Sequence, residues 1–423
     1  MYRQLFWPVL APSMLFSTGA AATLPVMVLA AVQVGASTAL ASLIVALVGV
    51  AVLLTTIPAG HLIDRLGDRR AMTVATAWAA VSVLGTVVAL VDGGRWALWL
   101  YVVSALLRAP AVNVWNLARQ ALVAETVPTA QLGRAMTALG GTLRVGSLVG
   151  PLCGAVLLLW WPLWSVYVFS LVCALLSLAV LYSPRGAALE RRPGEDPTGH
   201  GAARRAAPAR AAEPPLPAPG RGLRALDVRW RAVLLAGAAV AALALVRVSH
   251  PVVLQVWGVH LGLDASTISL LVALIATIEL ALMLPGGYLK DRLGRAPVLI
   301  ACLTFLGASF VLMTLLPHVP GLVVAVVVAA VGNGLGAGIN MTIGADLSPR
   351  VGRGRFLGVW ALFSNVGVVA GPGLVAALLV VASVQAALLG IAAVALGGAV
   401  WMAAWARTVD LPGADGRGIP SGP

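Results

Sequence analysis

The sequence predicts an all-α integral membrane protein with twelve transmembrane helices in two pseudo-symmetric six-helix bundles. Three observations carry that prediction. Of 423 residues, 60% are apolar and only 10% charged, with a mean hydropathy of +0.97, whereas a soluble domain has about 25% charged residues. The apolar residues form unbroken runs of about 20, the length a helix needs to cross a roughly 30 Å hydrocarbon core, without the alternation of an outer-membrane barrel. Two sets of motifs also recur in the second half of the chain at a nearly constant offset.

Taken in order, spans are expected near residues 5–30, 37–60, 71–91, 96–120, 134–158 and 162–182, then 231–258, 266–289, 297–316, 320–344, 355–379 and 383–405. The first run is too long and continuous for a cleaved signal peptide and is read as a retained span. Residues 1–182 form the first bundle, 231–406 the second, and 407–423 a cytoplasmic tail. Between the bundles, residues 183–230 hold eight prolines and an Arg-, Ala- and Gly-rich stretch. They lack the large apolar side chains of a core, so a disordered cytoplasmic linker is expected.

Orientation follows from the basic residues. Of 27 arginines and one lysine, Arg108, Arg144 and Arg247 are read as lying inside spans and Arg95 in a loop of the opposite face. The other 24 are assigned to the termini and the loops after even-numbered spans, which the positive-inside rule makes cytoplasmic. The formal charge of +13 is thus a topology signal and not a nucleic-acid patch. Scarcity of lysine fits a GC-rich bacterial genome, so the expected location is a bacterial plasma (inner) membrane with both termini cytoplasmic. Cys153, Cys173 and Cys302 sit in apolar runs without metal-ligand spacing and read as small hydrophobes. No metal or cofactor is expected.

The repeats are specific. Gly60-His-Leu-Ile-Asp64-Arg65-Leu-Gly67-Asp-Arg69-Arg70 follows the second span, and Gly287-Tyr-Leu-Lys-Asp291-Arg292-Leu-Gly294-Arg295 follows the eighth, at an offset of 227. At an offset of 221, Ala124-Glu125 matches Ala345-Asp346, Gly133-Arg134 matches Gly354-Arg355, and Gly146-x-x-x-Gly150-Pro151 matches Gly367-x-x-x-Gly371-Pro372. These residues resemble the major facilitator superfamily of secondary transporters, whose loop signature G-x-x-x-D-R-x-G-R-R stands here with Asp68 at a usually basic position and Ala296 at the last basic position of the second copy. The resemblance spans the whole chain and implies that family's fold.

What it implies for function is concrete. Gly60, Asp64, Arg65, Gly67, Arg69 and Arg70, with Gly287, Asp291, Arg292, Gly294 and Arg295, are expected to form tight hairpins that act as a conformational latch, the carboxylates facing a helix end or loop arginines. Gly146, Gly150, Pro151 and Gly154 resemble the antiporter signature of drug exporters, and with Gly367, Gly371 and Pro372 make a helix-packing hinge. The glycines from Gly332 to Gly338 lie within a span and read as packing, not as a dinucleotide loop.

Ionisable residues inside a span mark a functional site by default. Glu279, Arg108, Arg144 and His250 are the proton-coupling candidates, with Arg247 placed nearer the outer face. Arg108, Asn113, Trp115, Asn116, Arg247 and Gln255 are candidates for the substrate cavity. A carboxylate among arginines, in a cavity whose solvation changes, can alternate between pairing and protonation; a fixed Arg144–Glu279 ion pair is the alternative. Three arginines to one carboxylate favour an anionic or neutral amphipathic substrate. The expected function is therefore proton-coupled export of a small organic compound by a monomer in the bilayer. Uptake is the nearest rival, and the five scattered histidines offer no site for a membrane-embedded enzyme. A scaffold would have no use for midplane charges.

Overall fold

A computed structural model of the chain describes residues 6–126, 129–183, 228–349 and 353–411, the side chains of 8, 124–138 and 353–355 excepted. The expected linker and most of the tail lie outside these residues. Among the described residues, twelve helices are long and apolar enough to cross a membrane. They are α1 (Ala11–Gln33), α2 (Thr38–Leu66), α3 (Asp68–Asp92), α4 (Ala97–Thr126), α5 (Thr129–Leu158) and α6 (Trp164–Tyr182). The second six are α7 (Trp230–His260), α8 (Ala265–Leu293), α9 (Arg295–Leu315), α10 (Val319–Asp346), α11 (Arg353–Val381) and α12 (Val384–Val409).

Polar caps and glycines punctuate the apolar runs. Ser37, Asp264, His318 and Ser383 each accept a backbone N–H at the start of α2, α8, α10 and α12, satisfying donors that have no intrahelical partner. Single glycines turn the chain between α2 and α3 and between α8 and α9. Gly67 (φ +78°) and Gly294 (φ +89°) adopt backbone angles that L side chains resist. Gly60 and Gly287, expected in the hairpin, lie within α2 and α8, because both helices continue past the predicted span ends.

Within the first bundle α1 packs on α5 and α6, and α3 on α4; within the second α7 packs on α11 and α12, and α9 on α10 and α12. The bundles meet through α2 against α11 and α5 against α8. The glycines of the two glycine–proline elements each face a helix of their own bundle. A Cβ at Gly146 would stand 2.6 Å from Ser17 Cβ, and one at Gly150 2.7 Å from Ala22 N, both in α1. In the second bundle, Cβ atoms at Gly367 and Gly371 would meet Leu245 N at 2.7 Å and Ser249 Oγ at 2.6 Å, both in α7. Each element thus seats its own bundle's first helix backbone-to-backbone.

Two helices are broken at mid-span. α1 passes through a tight turn at Leu24–Val26, where Pro25 removes a donor. α10 is interrupted between Leu335 and Ile339, with Gly338 at φ +75°. The glycine run therefore both packs, Gly334 against α8, and breaks the helix. Exposed Trp96, Trp99, Trp160 and Trp161 stand at the face opposite the termini, as an interfacial belt does.

Candidate functional site in the central cavities

In the second bundle, three polar side chains reach one level from three helices. Arg247 stands thirteen residues before His260, Glu279 fourteen after Ala265, and Asn333 fourteen after Val319. At 1.5 Å per residue each is about 20 Å from the far end of its helix. Arg247 is thus at the depth of Glu279, not nearer the outer face, because α7 runs on to His260. These residues line a cavity of about 150 Å³ with His250, Val272, Ile275 and Leu306.

The contacts differ from those expected. Glu279 Oε1 accepts from Asn333 Nδ2, and no ion pair joins it to Arg144. Arg144 instead faces it across a separate cavity of about 240 Å³ between the bundles, lined also by Leu24, Pro151 and Pro251. Glu279 therefore borders two cavities, and its direct partner is a neutral amide. Arg247 Nη2 donates to Gly336 O at 2.9 Å and lies 3.5 Å from Asn333 O and 3.7 Å from Cys302 Sγ. Lys290 Nζ donates to Ala337 O. Both cations donate to carbonyls at the break in α10, at the negative end of its first segment, and Gly336 O also accepts from Ile339 N at 3.1 Å. His250 is buried, its ring edge-on to Phe310 at 5.5 Å and its Nε2 without a hydrogen-bond partner.

The first bundle holds a cavity of about 350 Å³ lined by Phe16, Ser17, Arg108, Val112, Asn116, Arg119 and Leu143. Arg108 and Asn116 lie where expected. Asn113 and Trp115 do not: Asn113 Nδ2 donates to Val52 O at 2.8 Å and Thr56 Oγ1 at 3.1 Å, tying α4 to α2. Trp115 is fully buried behind the cavity, its Nε1 donating to Thr76 Oγ1 at 2.9 Å and its ring stacked on Phe16 at 4.4 Å. Both were candidates because α4 lines the cavity, but they occupy its other faces. Arg119, assigned from sequence to the cytoplasmic edge, is only 5% exposed and bonds to Ser17 and Asn116.

Gln255 is not a cavity residue either. Its Oε1 accepts from Val28 N at 2.9 Å and its Nε2 donates to Leu24 O at 3.0 Å. Leu24 O and Val28 N would bond to each other in a continuous helix, so the carboxamide has inserted into the backbone ladder of α1, a recognised cause of a kink. Among the described residues, these are the side-chain hydrogen bonds that cross between the bundles, and both lie toward the face opposite the termini. At the face bearing the termini, a Cβ at Gly60, Gly140, Gly287 or Gly358 would meet nothing within 4 Å. The bundles are clasped at the face opposite the termini.

The latch residues divide accordingly. Asp64 is exposed, with no ion pair among the described residues. In the second copy Arg295 pairs with Asp346 at 3.0 Å and with Asp291 at 3.7 Å, inside one bundle. Sequence reasoning missed Arg119, Lys290 and Asn333. Arg119 follows Arg108 by eleven residues, three helical turns, which was a usable signal; Asn333 was hidden in a run read only for its glycines.

Comparison with known proteins follows this geometry. The sequence profile of the Major Facilitator Superfamily matches residues 9–248 and 234–418. No curated protein sequence gives a significant match. Among solved structures, a POT family transporter in complex with a thioalcohol-conjugated peptide superposes with a TM-score of 0.71 at 12% identity, over 95% of each chain. A D-xylose–proton symporter gives 0.67 at 14% identity, over 97% of this chain and 98% of that one. The human organic anion transporter MFSD10 gives 0.59 at 17%, over 95% and 99%. At these identities the likeness shows the fold. With the profile match over both bundles, the twelve spans and the twofold repeat, the chain belongs to the major facilitator superfamily and is a membrane transporter, not an enzyme.

Proposed function

We propose that the chain is a proton-coupled antiporter, exporting a small anionic or neutral amphipathic compound by alternating access. In this reading it works as a monomer in a bacterial plasma membrane with both termini cytoplasmic. The observation that carries the reading is Glu279. It is the one carboxylate deep in a span among the described residues, it borders both the inter-bundle cavity and the second-bundle cavity, and a neutral Asn333 holds it instead of a locking cation. A carboxylate so placed can gain or lose a proton as one cavity or the other opens to water. Arg144 and Arg247 lend nearby positive charge without neutralising it in a fixed pair.

The contacts between the bundles support the same cycle: the Gln255 clasp shuts one face, and at the other Asp64 is exposed with no ion pair among the described residues. Uptake by symport is the second reading, favoured by the fold shared with a D-xylose–proton symporter. A counterflow screen in proteoliposomes with an imposed pH gradient separates the two. Antiport accumulates substrate when the lumen is the more acidic side, and symport when the outside is. Accumulation indifferent to the gradient contradicts proton coupling.

A further inference from the structure

We infer that the first bundle carries the anion-binding subsite, formed by Arg119, Asn116 and Ser17 with Arg108 further along the slot, and that its ligand is an amphipathic carboxylate. The inference rests on the transport reading and deepens it: the anion is held in the first bundle, the proton in the second.

Arg108 and Arg119 are eleven residues apart on α4. At 100° per residue they differ by only about 20° around the axis, so both point from one face, about 16 Å apart along it. Both line the cavity of about 350 Å³. Neither has an acidic partner among the described residues; the described carboxylates of this bundle, Asp64, Asp68 and Asp92, stand at helix ends. Arg108 Nη1 and Arg119 Nε are buried without any hydrogen-bond partner. A buried charge with no counter-charge is costly, and Arg119, 5% exposed, has none among the described residues, with half-buried Arg108 in the same cavity.

The neighbouring groups present donors as well. Ser17 Oγ accepts from Arg119 Nη1 at 3.1 Å, which leaves its hydroxyl proton to donate. Asn116 Oδ1 accepts from Arg119 Nη2, which turns its Nδ2 outward as a further donor. A site made of N–H and O–H groups around a guanidinium takes an oxyanion. The remaining wall is apolar: Phe16, braced by Trp115 at 4.4 Å, with Val112 and Leu143. The cavity is at the small end of ligand clefts, about 300–1,000 Å³, so one charged head and one compact apolar body fill it. The second-bundle cavity is smaller and holds Glu279, which repels an anion whenever it is ionised.

The test uses the purified full-length protein and three tritiated probes of one shape: 4-phenylbutyrate, its methyl ester and 4-phenylbutylamine. The carboxylate should bind, and the ester and amine bind about ten-fold or more weakly, the loss expected when charge-assisted hydrogen bonds go. Arg119→Gln should weaken the carboxylate by a similar factor, and Arg119→Lys should recover part of it. The comparison of probes on the wild type stands even if a variant does not fold. Amine bound as tightly as the acid, no carboxylate bound, or Arg119→Gln binding like the wild type overturns the subsite. If wild-type vesicles, but not protein-free ones, concentrate the neutral ester along a pH gradient, the subsite falls and the transport reading stands. If the carboxylate binds but no gradient drives it, the subsite stands and proton coupling falls.

Discussion

Arg247 shows why a charge inside a membrane needs its hydrogen bonds named before its role. Its Nη2 donates to Gly336 O at the break in α10 while its Nε is buried without a partner, so part of its work is to satisfy backbone that the bilayer cannot. Arg247→Met should remove the charged donor and leave Gly336 O only the Ile339 N–H at 3.1 Å, at a cost of about 1–3 kcal/mol, read as a lower melting temperature in detergent. A variant with wild-type stability and a raised KM would instead make Arg247 a substrate ligand. Asp264 gives a second residue-scale test, at the surface. Its hydrogen bonds to Ser266 and Thr267 hold its carboxyl down at about 2, from an ordinary value near 4. Because the folded value is the lower one, its stabilisation is complete above about pH 4 and fades as the pH falls toward 2. Asp264→Ala should therefore cost about 1 kcal/mol at neutral pH, as lost caps do, and the gap to the wild type should close in acid. A gap that persists at pH 2 contradicts the cap.

At the scale of elements, the broken first helix and Gln255 form a reversible clasp. When Gln255 withdraws, Leu24 O and Val28 N can bond to each other, so opening this face exchanges hydrogen bonds and does not abandon them. Gln255→Leu keeps the bulk and removes both bonds. The equilibrium should move toward the state open at the face opposite the termini, by up to about ten-fold for one to two net bonds. Spin-label distances between the α1–α2 and α7–α8 loops report it: a longer-distance population should grow, and an unchanged distribution contradicts the clasp. This element was only partly legible beforehand. Span positions, caps and the single-glycine turns follow from local sequence, because a bilayer enforces helices wherever twenty apolar residues run together. The breaks at Pro25 and Gly338 depend on which side chains from α7 and α8 arrive to satisfy the freed backbone. Gln255 was legible as a polar residue in a span but not as a backbone substitute, since its partners lie more than two hundred residues away. Arg119 lay at the last turn of the span drawn over 96–120 and was counted with the cytoplasmic arginines, and Asn113 and Trp115 were placed on the right helix but the wrong face.

Over the whole molecule, the twofold repeat gives each bundle the same frame and different charges: among the described residues, Arg108 and Arg119 without an acidic partner in the first, and Glu279 beside Arg247 in the second. The latch tests how the frame moves. Asp64 is exposed with no ion pair among the described residues, so a latch requires it to find its partner in another state of the cycle. Asp64→Asn should slow turnover at least several-fold with unchanged melting temperature, and Asp291→Asn, whose Arg295 keeps Asp346, should do less. Wild-type turnover in Asp64→Asn removes the latch. The central claim is that Glu279 carries the proton while another part of the cavity carries the substrate. It is tested most directly by reconstituting Glu279→Gln beside the wild type and measuring counterflow and pH-driven accumulation in the same vesicles. Counterflow should persist, because exchange needs no net proton movement, and accumulation against a substrate gradient should disappear. A Glu279→Gln protein that still concentrates substrate when a pH gradient is imposed would contradict the account.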